Sequence, residues 1–318
     1  MDIMLEPAHV LRAFFLAAAS TILLFNGVPA LRSRYLAYGP RATPRDTHDQ
    51  GKYASKPDLT NIRRVKPYRV ETLLDHLATY QVPHAYFTHF YIVSVVSSVF
   101  WGVQLLAQGA AVKALASYSS STRPEESMST GQVFLAWSLM AVQGLRRLYE
   151  SVTLAKPSSA KMWFVHWLIG IGFYLAVGVA VWMEGVGTVV SATPKLDDLR
   201  LSPPSLGTLV CLPIFILASG VQYDCHAYLA SLQKYTLPAH PAFEKLICPH
   251  YFAECLIYIA LTFIAAPKGA LVNKTVFTAL IFVSVNLGVT ADISRDWYAQ
   301  KFGADKIAGK WRIIPLVY

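Results

Sequence analysis

The stretch CPHYFAECLIYIA, residues 248–260, begins with polar side chains and continues as an apolar segment. His250 and Glu254 are four residues apart in it, so they lie one turn apart on the same face of a helix. The imidazole can act as an electrophile or general acid, and the carboxylate can orient it or bind a cofactor hydroxyl or amide. The alternative is a structural ion pair that closes the helix end. Ionisable groups beside an apolar run cost free energy unless they are paired or face a cavity, so the pair predicts a functional site.

Similar polar clusters lie at the ends of other apolar runs. They comprise His84, Tyr86, His89 and Tyr91; Gln143, Arg146, Arg147 and Glu150; Gln222, Asp224 and His226; and Asn286 with residues 292–298. Each has a plainer interpretation. Residues 84–91 fit an interfacial aromatic belt, and Arg146 and Arg147 fit ordinary cytoplasmic charges that pair with Glu150 on the helix surface.

The composition indicates the environment in which this chain folds. Of its 318 residues, 54% are hydrophobic and 15% are charged, and the mean hydropathy is +0.39. A soluble domain carries about 25% charged residues. A helix that crosses a bilayer needs about 20 mostly apolar residues. Seven such runs occur, at 9–31, 86–112, 131–150, 162–190, 205–230, 250–267 and 271–293. The sequence predicts an all-α integral membrane protein with about seven transmembrane helices.

Basic residues predict the orientation of these helices. With seven spans, 21 of the 28 Lys and Arg residues fall on one side, in segments 32–80, 146–161, 232–249 and 294–318. Because Lys and Arg accumulate on the cytoplasmic side, the carboxyl terminus is expected in the cytosol and the amino terminus in the lumen or outside. Every polar cluster then lies at a cytoplasmic helix end, which predicts a polar cavity open to the cytosol. The basic loop 32–70 is predicted to be irregular and either sets topology or attracts anionic lipid.

Several site classes are disfavoured by their missing motifs. The chain has no GxGxxG after a strand, no GxxxxGK[ST], no HExxH and no GxSxG. A nucleotide would therefore be held inside the helix bundle, and nucleic acid is a poor partner. The cysteines, Cys211, Cys225, Cys248 and Cys255, are expected to be reduced. A metal site formed by Cys225, His226, Cys248 and His250 lacks the usual ligand spacing, so no metal is expected.

Five ordered blocks resemble one known family. They are Phe87-Thr-His89-Phe-Tyr91; Gln143-x-Leu-Arg146-Arg147-Leu-x-Glu150; Gln222-Tyr-x-Cys225-His226 continuing to Lys234; Pro249-His250-Tyr251-x-Ala-Glu254; and Trp297-Tyr298-x-x-Lys301-Phe302 with a terminal Ile314-Pro315. The chain resembles the steroid 5α-reductase family, and within it the type 3 branch that reduces polyprenal or polyprenol. The resemblance covers residues 80–150 and 215–318.

This resemblance implies an enzyme of the endoplasmic reticulum membrane. It implies that NADPH enters from the cytosol and reduces a carbon–carbon double bond conjugated to a carbonyl. In the type 3 branch the substrate is a long polyprenoid on the way to dolichol, the carrier for protein N-glycosylation. Residues 1–80 would hold the first helix and the basic loop, residues 81–318 the six-helix catalytic bundle, and residues 215–318 the family's carboxyl-terminal region. No obligate protein partner is implied.

Residue roles follow from the resemblance and from the chemistry of each side chain. His250, Tyr298 and His89 are expected as electrophile or acid, with Gln143 as an amide donor to the carbonyl. Glu254, Tyr251, Gln222 and His226 are expected to border the cofactor. The basic candidates for its phosphates are Arg146, Arg147, Lys234, Arg295, Lys301 and Lys310. Gln143 aligns with the tyrosine that holds the carbonyl in steroid-reducing members, which argues against a steroid ketone as the main substrate.

Other functions remain open at this point. A steroid enone or an enoyl thioester could be reduced on the same scaffold. Methyltransferases of prenylated cysteine also place His, Glu and Arg at cytoplasmic helix ends, but they use S-adenosylmethionine. A seven-span receptor or transporter is the non-enzymatic alternative, although no inverted repeat is visible.

Overall fold

The computed structural model of the protein describes residues 6–36, 69–119, 126–191, 205–233 and 236–318. Its helices are α1 (Pro7–Gly27), α2 (Pro29–Leu31), α3 (Arg69–Ala78), α4 (Phe87–Leu106), α5 (Ala110–Ser117), α6 (Thr130–Thr153), α7 (Phe164–Met183), α8 (Val186–Ser191), α9 (Leu206–Ser231), α10 (Pro249–Ile264) and α11 (Lys274–Phe302). A π-helical turn spans Arg32–Leu36, and 3₁₀ turns span His84–Tyr86, Pro241–Phe243 and Ala304–Ile307. Two short strands, β1 (Gln81–Pro83) and β2 (Lys161–Trp163), pair antiparallel.

The structure confirms the predicted fold class, an all-α protein of the membrane. In the described part of the chain, α1, α4 with its preceding turn, α7, α9 and α11 are long and apolar enough to span a bilayer. Helix α10 is apolar but has 16 residues, and the 24-residue α6 carries Arg146, Arg147 and Glu150 in its last turns. These seven helices correspond to the seven predicted runs, and the number that span the bilayer stays a prediction.

Several predicted boundaries were wrong. The run 86–112 contains α4 and the start of α5, separated by a turn in which Gln108 has a φ of 46°. The run 162–190 contains α7 and α8, and α11 continues nine residues beyond the predicted end at 293. An apolar run records burial in lipid or protein, but it does not record where the backbone turns.

Close helix packing depends on small residues. A Cβ atom on Gly144 of α6 would lie 2.6 Å from the hydroxyl oxygen of Ser94, and one on Gly178 of α7 would lie 2.5 Å from that of Ser97. Both serines belong to α4, so α4 approaches α6 and α7 too closely for a larger residue. Helix α11 packs against α1, α7 and α10, and α10 packs against α9. All four cysteines are free and buried.

The bundle has two different ends. At the polar end, α1, α6, α9 and α11 finish and α4, α7 and α10 begin. Here Arg32, after α1, forms ion pairs with Asp292 at 2.9 Å and Asp296 at 3.1 Å on α11. Strands β1 and β2 join the starts of α4 and α7. The polar clusters of the sequence therefore meet at one end, as predicted.

The opposite end, called the closed end here, is held by one partly buried carboxylate. Glu184 Oε1 accepts hydrogen bonds from Arg12 Nη2 at 2.9 Å, from Thr275 N at 2.8 Å and from Thr275 Oγ1 at 2.7 Å. A carboxylate at a helix amino terminus is stabilised by the free backbone N–H groups and the helix dipole. Glu184 thereby joins α1 to the start of α11.

The carboxyl-terminal segment closes over the start of α10. Ile247 N donates to Trp311 O at 2.8 Å, and Cys248 N donates to Arg312 O at 3.0 Å. Arg312 Nε donates to Asp292 Oδ1 at 2.5 Å, and this hydrogen bond raises the pKa of the Arg312 guanidinium above its ordinary value. The chain end is thus tied to both α10 and α11.

Two of the sequence predictions fall largely outside the described residues. These are the basic loop, described only at 32–36 and 69–70, and Lys234. The proposed division at residue 80 stays a prediction; α1 itself packs against α7 and α11 of the catalytic segment.

Candidate active site

A cavity of about 220 Å³ opens within the polar end. Part of its lining is apolar and largely aromatic, and these lining residues are called the apolar wall here. They include Phe25, Phe87, Phe90, Ile169, Phe173, Phe282, Val283 and Leu287. The polar lining residues, called the polar wall, include Tyr91, Arg147, Tyr174, Gln222, His226, Glu254, Asn286 and Thr290. Helices distant in sequence thus build a chamber that can hold an apolar chain against a polar surface.

Amide side chains join three helices behind the polar wall. Gln143 Nε2 donates to Gln222 Oε1 at 3.2 Å and to Glu254 Oε2 at 3.3 Å. Gln222 Nε2 donates to the same carboxylate oxygen. Gln143 and Gln222 are each 3% exposed. Because unpaired buried amides are costly, these bonds hold α6, α9 and α10 in a single register.

Arg146 extends this network along α6. Its Nη2 donates to Gln143 Oε1 at 2.8 Å and also to Gln222 Oε1, and its Nη1 donates to Glu150 Oε1. The buried Nε of Arg146 makes no hydrogen bond within the described residues. One N–H donor of the network is therefore unused, although Arg146 itself does not line the cavity.

Arg147 connects the network to the cavity. Its Nη2 donates to the Tyr91 hydroxyl at 2.5 Å, and its guanidinium carbon lies 4.8 Å from the centre of that ring. Its Nη1 donates to Glu150 Oε2 and lies 2.7 Å from His226 Nδ1. Since His226 Nδ1 is also 2.7 Å from Glu150 Oε2, a protonated Nδ1 donates to Glu150 and cannot accept from Arg147. Glu150, 3% exposed, is thus surrounded by donors.

The charges of this network are nearly balanced. Arg146 and Arg147 face the carboxylates Glu150 and Glu254, and buried charges are tolerated when they are paired and hydrogen-bonded. The sequence analysis offered, as an alternative, an ion pair between Glu150 and the two arginines on the helix surface. The ion pair is present, but it is not on the surface, because the Glu150 side chain is 2% exposed.

Tyr174 is a site residue that the sequence reasoning missed. It lines the cavity, with its ring centre 5.6 Å from that of Tyr91 and 5.3 Å from that of Phe173. Its hydroxyl makes no hydrogen bond within the described residues, whereas the Tyr91 hydroxyl accepts from Arg147. The available signal was one tyrosine in the middle of an otherwise apolar helix. Asn286 and Thr290 of α11 also reach the cavity.

The structure brings many of the predicted residues together. They are Gln143, Arg146, Arg147, Gln222, His226, Tyr251 and Glu254. His250 adjoins them, because its carbonyl accepts from Gln222 Nε2 at 3.4 Å and its ring centre is 5.3 Å from that of His226. Glu254 is engaged by the amides of α6 and α9, which argues against a role limited to a local ion pair on α10.

Other predicted residues lie elsewhere. The Tyr298 ring packs against Trp297 and Phe302, and His89 packs against Tyr86 and Trp167. Of the remaining candidates in the described residues, none of Tyr298, His89, Arg295, Lys301 and Lys310 contributes to the cavity wall. Arg295 has a buried Nε without a hydrogen bond in the described part, Lys301 is exposed, and Lys310 Nζ donates to Phe243 O at 2.8 Å. Their roles stay predictions. No three metal-ligating side chains converge among the residues that the structure covers.

Comparison with known proteins supplies the family. Residues 203–318, which include α9, α10 and α11, match the family model described as 3-oxo-5-alpha-steroid 4-dehydrogenase. Polyprenal reductase of Xenopus laevis is 30% identical over 261 residues, covering 76% of this chain and 79% of the relative. Polyprenal reductase of Saccharomyces cerevisiae is 25% identical over 306 residues, covering 96% and 92%. Polyprenal reductase of Homo sapiens is 27% identical over 244 residues, covering 70% and 74%.

These matches confirm the resemblance that the five sequence blocks indicated, and they extend it into the amino-terminal half of the chain. The chain belongs to the steroid 5α-reductase family of oxidoreductases, in the group of the polyprenal reductases.

Proposed function

We propose that this protein is an NADPH-dependent polyprenal reductase of dolichol biosynthesis. It reduces the carbon–carbon double bond conjugated to the aldehyde of a long polyprenoid. The observation that carries the proposal is the cavity with one aromatic and one polar wall, inside an apolar bundle. Such a chamber suits a lipid that has one reactive polar end. The names of the relatives support the same substrate.

The apolar wall holds the isoprenoid end of the substrate. Phe173 stacks on Phe282 with ring centres 5.0 Å apart, and Phe90 stacks on Tyr174 at 6.1 Å. Gly170 faces this wall, and a Cβ atom there would lie 2.6 Å from the Phe90 ring. These side chains present flat apolar faces to the substrate and exclude water from the polar wall.

The residues of the polar wall fit a nicotinamide cofactor. A carboxamide has both donors and acceptors, and Gln222 and Glu254, which line the cavity and are positioned by Gln143, offer both kinds of group. The guanidinium of Arg147, which lines the cavity, adds a cation suited to a phosphate or carbonyl oxygen. When bound, NADPH supplies the hydride equivalent that the reduction requires. The cofactor enters from the cytosol, with the carboxyl terminus on that side of the endoplasmic reticulum membrane.

Two tyrosines are suited to act on the substrate carbonyl. Reduction of the conjugated double bond builds negative charge on the carbonyl oxygen, and preorganised donors stabilise that charge. The Tyr174 hydroxyl is uncommitted at the border between the two walls. The Tyr91 hydroxyl accepts from Arg147, so its own proton remains available and the guanidinium stabilises the phenol oxygen after donation. We assign carbonyl binding to Tyr174 and proton donation to Tyr91.

Gln143 and His250, which the sequence analysis expected to act on the carbonyl, have supporting roles in this proposal. The Gln143 amide is committed to Gln222 and Glu254, so it orients the wall and does not reach the carbonyl. His250 lies beside His226, at the edge of the same network. Gln143 and His250 thus lie behind the polar wall, on the side where we place the cofactor.

The decisive experiment is a turnover assay with purified protein. NADPH is supplied with polyprenal, with polyprenol or with a steroid enone, and cofactor oxidation and lipid product are followed together. We expect turnover of polyprenal and a much slower reaction of the steroid enone. Failure to reduce polyprenal, with thermal stabilisation by S-adenosylmethionine in place of NADPH, would overturn the proposal.

A further inference from the structure

Helix α3 displays three different faces. Asp75 Oδ1 accepts from Arg34 Nε at 2.8 Å, so one face binds the rest of the protein. A second face is apolar and exposed, with Val70 at 65%, Leu73 at 56% and Leu77 at 41% relative exposure. At 100° per residue these three side chains form one stripe. The third face, between the other two, carries the exposed polar residues Thr72 and His76.

The position of α3 places this stripe at the rim of the bundle. The Tyr35 hydroxyl, just after α1, donates to Leu74 O at 2.8 Å. Trp163 Nε1, just before α7, donates to Leu77 O at 3.0 Å, and Phe164 N donates to Tyr80 O at 2.9 Å. Helix α3 is therefore tied to the ends of two helices that are long and apolar enough to span the bilayer, at the level where those helices leave it.

The ends of those two helices next to α3 are also apolar and exposed. Near its end α1 exposes Leu23 at 53% and Leu24 at 61%, and near its start α7 exposes Phe164 at 41% and Leu168 at 52%. A helix with protein on one side, an apolar stripe on the next and polar residues on the third matches a bilayer interface. We propose that α3 is an interfacial helix that seats Val70, Leu73 and Leu77 among lipid headgroups and upper acyl chains.

The position of α3 in the membrane also affects the lining of the cavity. This part of the proposal rests on the proposed function. Tyr35 and Trp163 line the cavity, and their ring centres are 4.2 Å apart. Both side chains donate hydrogen bonds to backbone carbonyl groups of α3. Phe25 completes the group, with ring centres 5.5 Å from Tyr35 and 6.1 Å from Trp163. The lipid surface that carries the substrate therefore sets the position of three aromatic side chains in the chamber that receives it.

Spin-label depth measurements test the position of α3 in the membrane and do not depend on enzymatic activity. The four native cysteines are buried, so a single Leu73→Cys can be labelled selectively, with Thr72→Cys as the matched control on the adjacent polar face. In lipid nanodiscs, collision with oxygen should exceed collision with a water-soluble nickel chelate at position 73, and the reverse should hold at position 72. Equal access of the nickel chelate to both labels would overturn the proposal, whatever the enzyme's substrate.

The link to the cavity has a separate test. The double variant Leu73→Gln with Leu77→Gln should raise KM for polyprenal about tenfold while the Kd for NADPH changes by less than about twofold, since a tenfold effect is a small free-energy change. His76→Gln, on the water-facing side, should change neither. An unchanged KM in the double variant, with depth confirmed at position 73, would overturn the link.

Discussion

The two ends of the bundle use the same residue types for different purposes. At the closed end, Glu184 accepts from Arg12 and from two groups of Thr275. At the polar end, Glu150 accepts from two arginines and lies against His226. The second cluster borders a 220 Å³ chamber through Arg147, and no residue of the first cluster lines that chamber.

The difference lies in the donors that remain. At the closed end, every hydrogen bond named above has a structural purpose, because it ties the Glu184 carboxylate to α1 or to the amino terminus of α11. The polar-end network leaves Arg146 Nε without a hydrogen bond and the Tyr174 hydroxyl uncommitted. A buried ion pair is thus weak evidence for catalysis, and a buried ion pair with spare donors beside a cavity is much stronger evidence.

The largest effect should come from removing a charge at the polar end. Arg147→Ala leaves Glu150 with one guanidinium fewer and removes the partner of Tyr91. Breaking a buried pair in this way costs about 3–5 kcal/mol of unfolding free energy. We expect a lower thermal unfolding temperature in detergent and no measurable turnover. Wild-type stability in this variant would show that the polar-end charges are solvated, contrary to their burial.

A smaller effect, confined to chemistry, is expected at the cavity border. Tyr174→Phe keeps the ring and removes a hydroxyl that makes no protein hydrogen bond in the described structure. Loss of a carbonyl donor should lower kcat about 10²-fold, with thermal stability unchanged. The control is Tyr149→Phe on the exposed face of α6, where the residue is 57% exposed. Equal kcat values for the wild type and Tyr174→Phe would remove Tyr174 from the mechanism.

The closed end should respond in stability alone. Arg12→Ala removes one donor from Glu184 while both hydrogen bonds from Thr275 remain. The loss of a hydrogen bond to a charged group costs about 1.5–3 kcal/mol. Denaturation in detergent should show this loss, and kcat per folded molecule should stay within about twofold of the wild type, a small free-energy difference. A large fall in kcat would make the two ends functionally equivalent and undo the comparison.

The smallest effect is expected where the charged pairs are partly exposed. Asp292→Asn weakens the contacts to Arg32 and Arg312 at the rim of the polar end. Exposed or half-exposed pairs contribute about 0–1 kcal/mol. Hydrogen exchange at the backbone amides of residues 311–314 should rise modestly, with turnover nearly unchanged. Global unfolding of this variant would instead assign the segment a central role in folding.

The sequence predicted the polar-end cluster better than its individual roles. Gln143, Arg146, Gln222 and Glu254 were all singled out, because polar residues at helix ends stand out against an apolar background. Their mutual hydrogen bonds could not be predicted, since they join α6, α9 and α10 across 79 and 111 residues of sequence. The short strands were also missed, because three residues are too few to show an alternating pattern.

His89 and Tyr298 show why the remaining site assignments were less secure. His89 lies in a predicted helix and Tyr298 lies five residues beyond the predicted end of another, but their rings pack against Trp167 and Phe302 respectively, and neither residue lines the cavity. The direction in which a side chain points depends on rotation of its helix, and packing against neighbouring helices sets that rotation. Tyr174 reaches the cavity for the same reason.

By itself, the sequence determined that this chain resides in a membrane, that it is built from helices and that its polar residues gather at one end. Length, apolarity and charge distribution are sufficient for those conclusions, because the bilayer imposes them on any chain. Only the tertiary structure decided which polar side chains face one another, that Tyr174 lines the chamber and that Glu184 closes the opposite end. Those outcomes depend on contacts between residues far apart in sequence, which local pattern does not record.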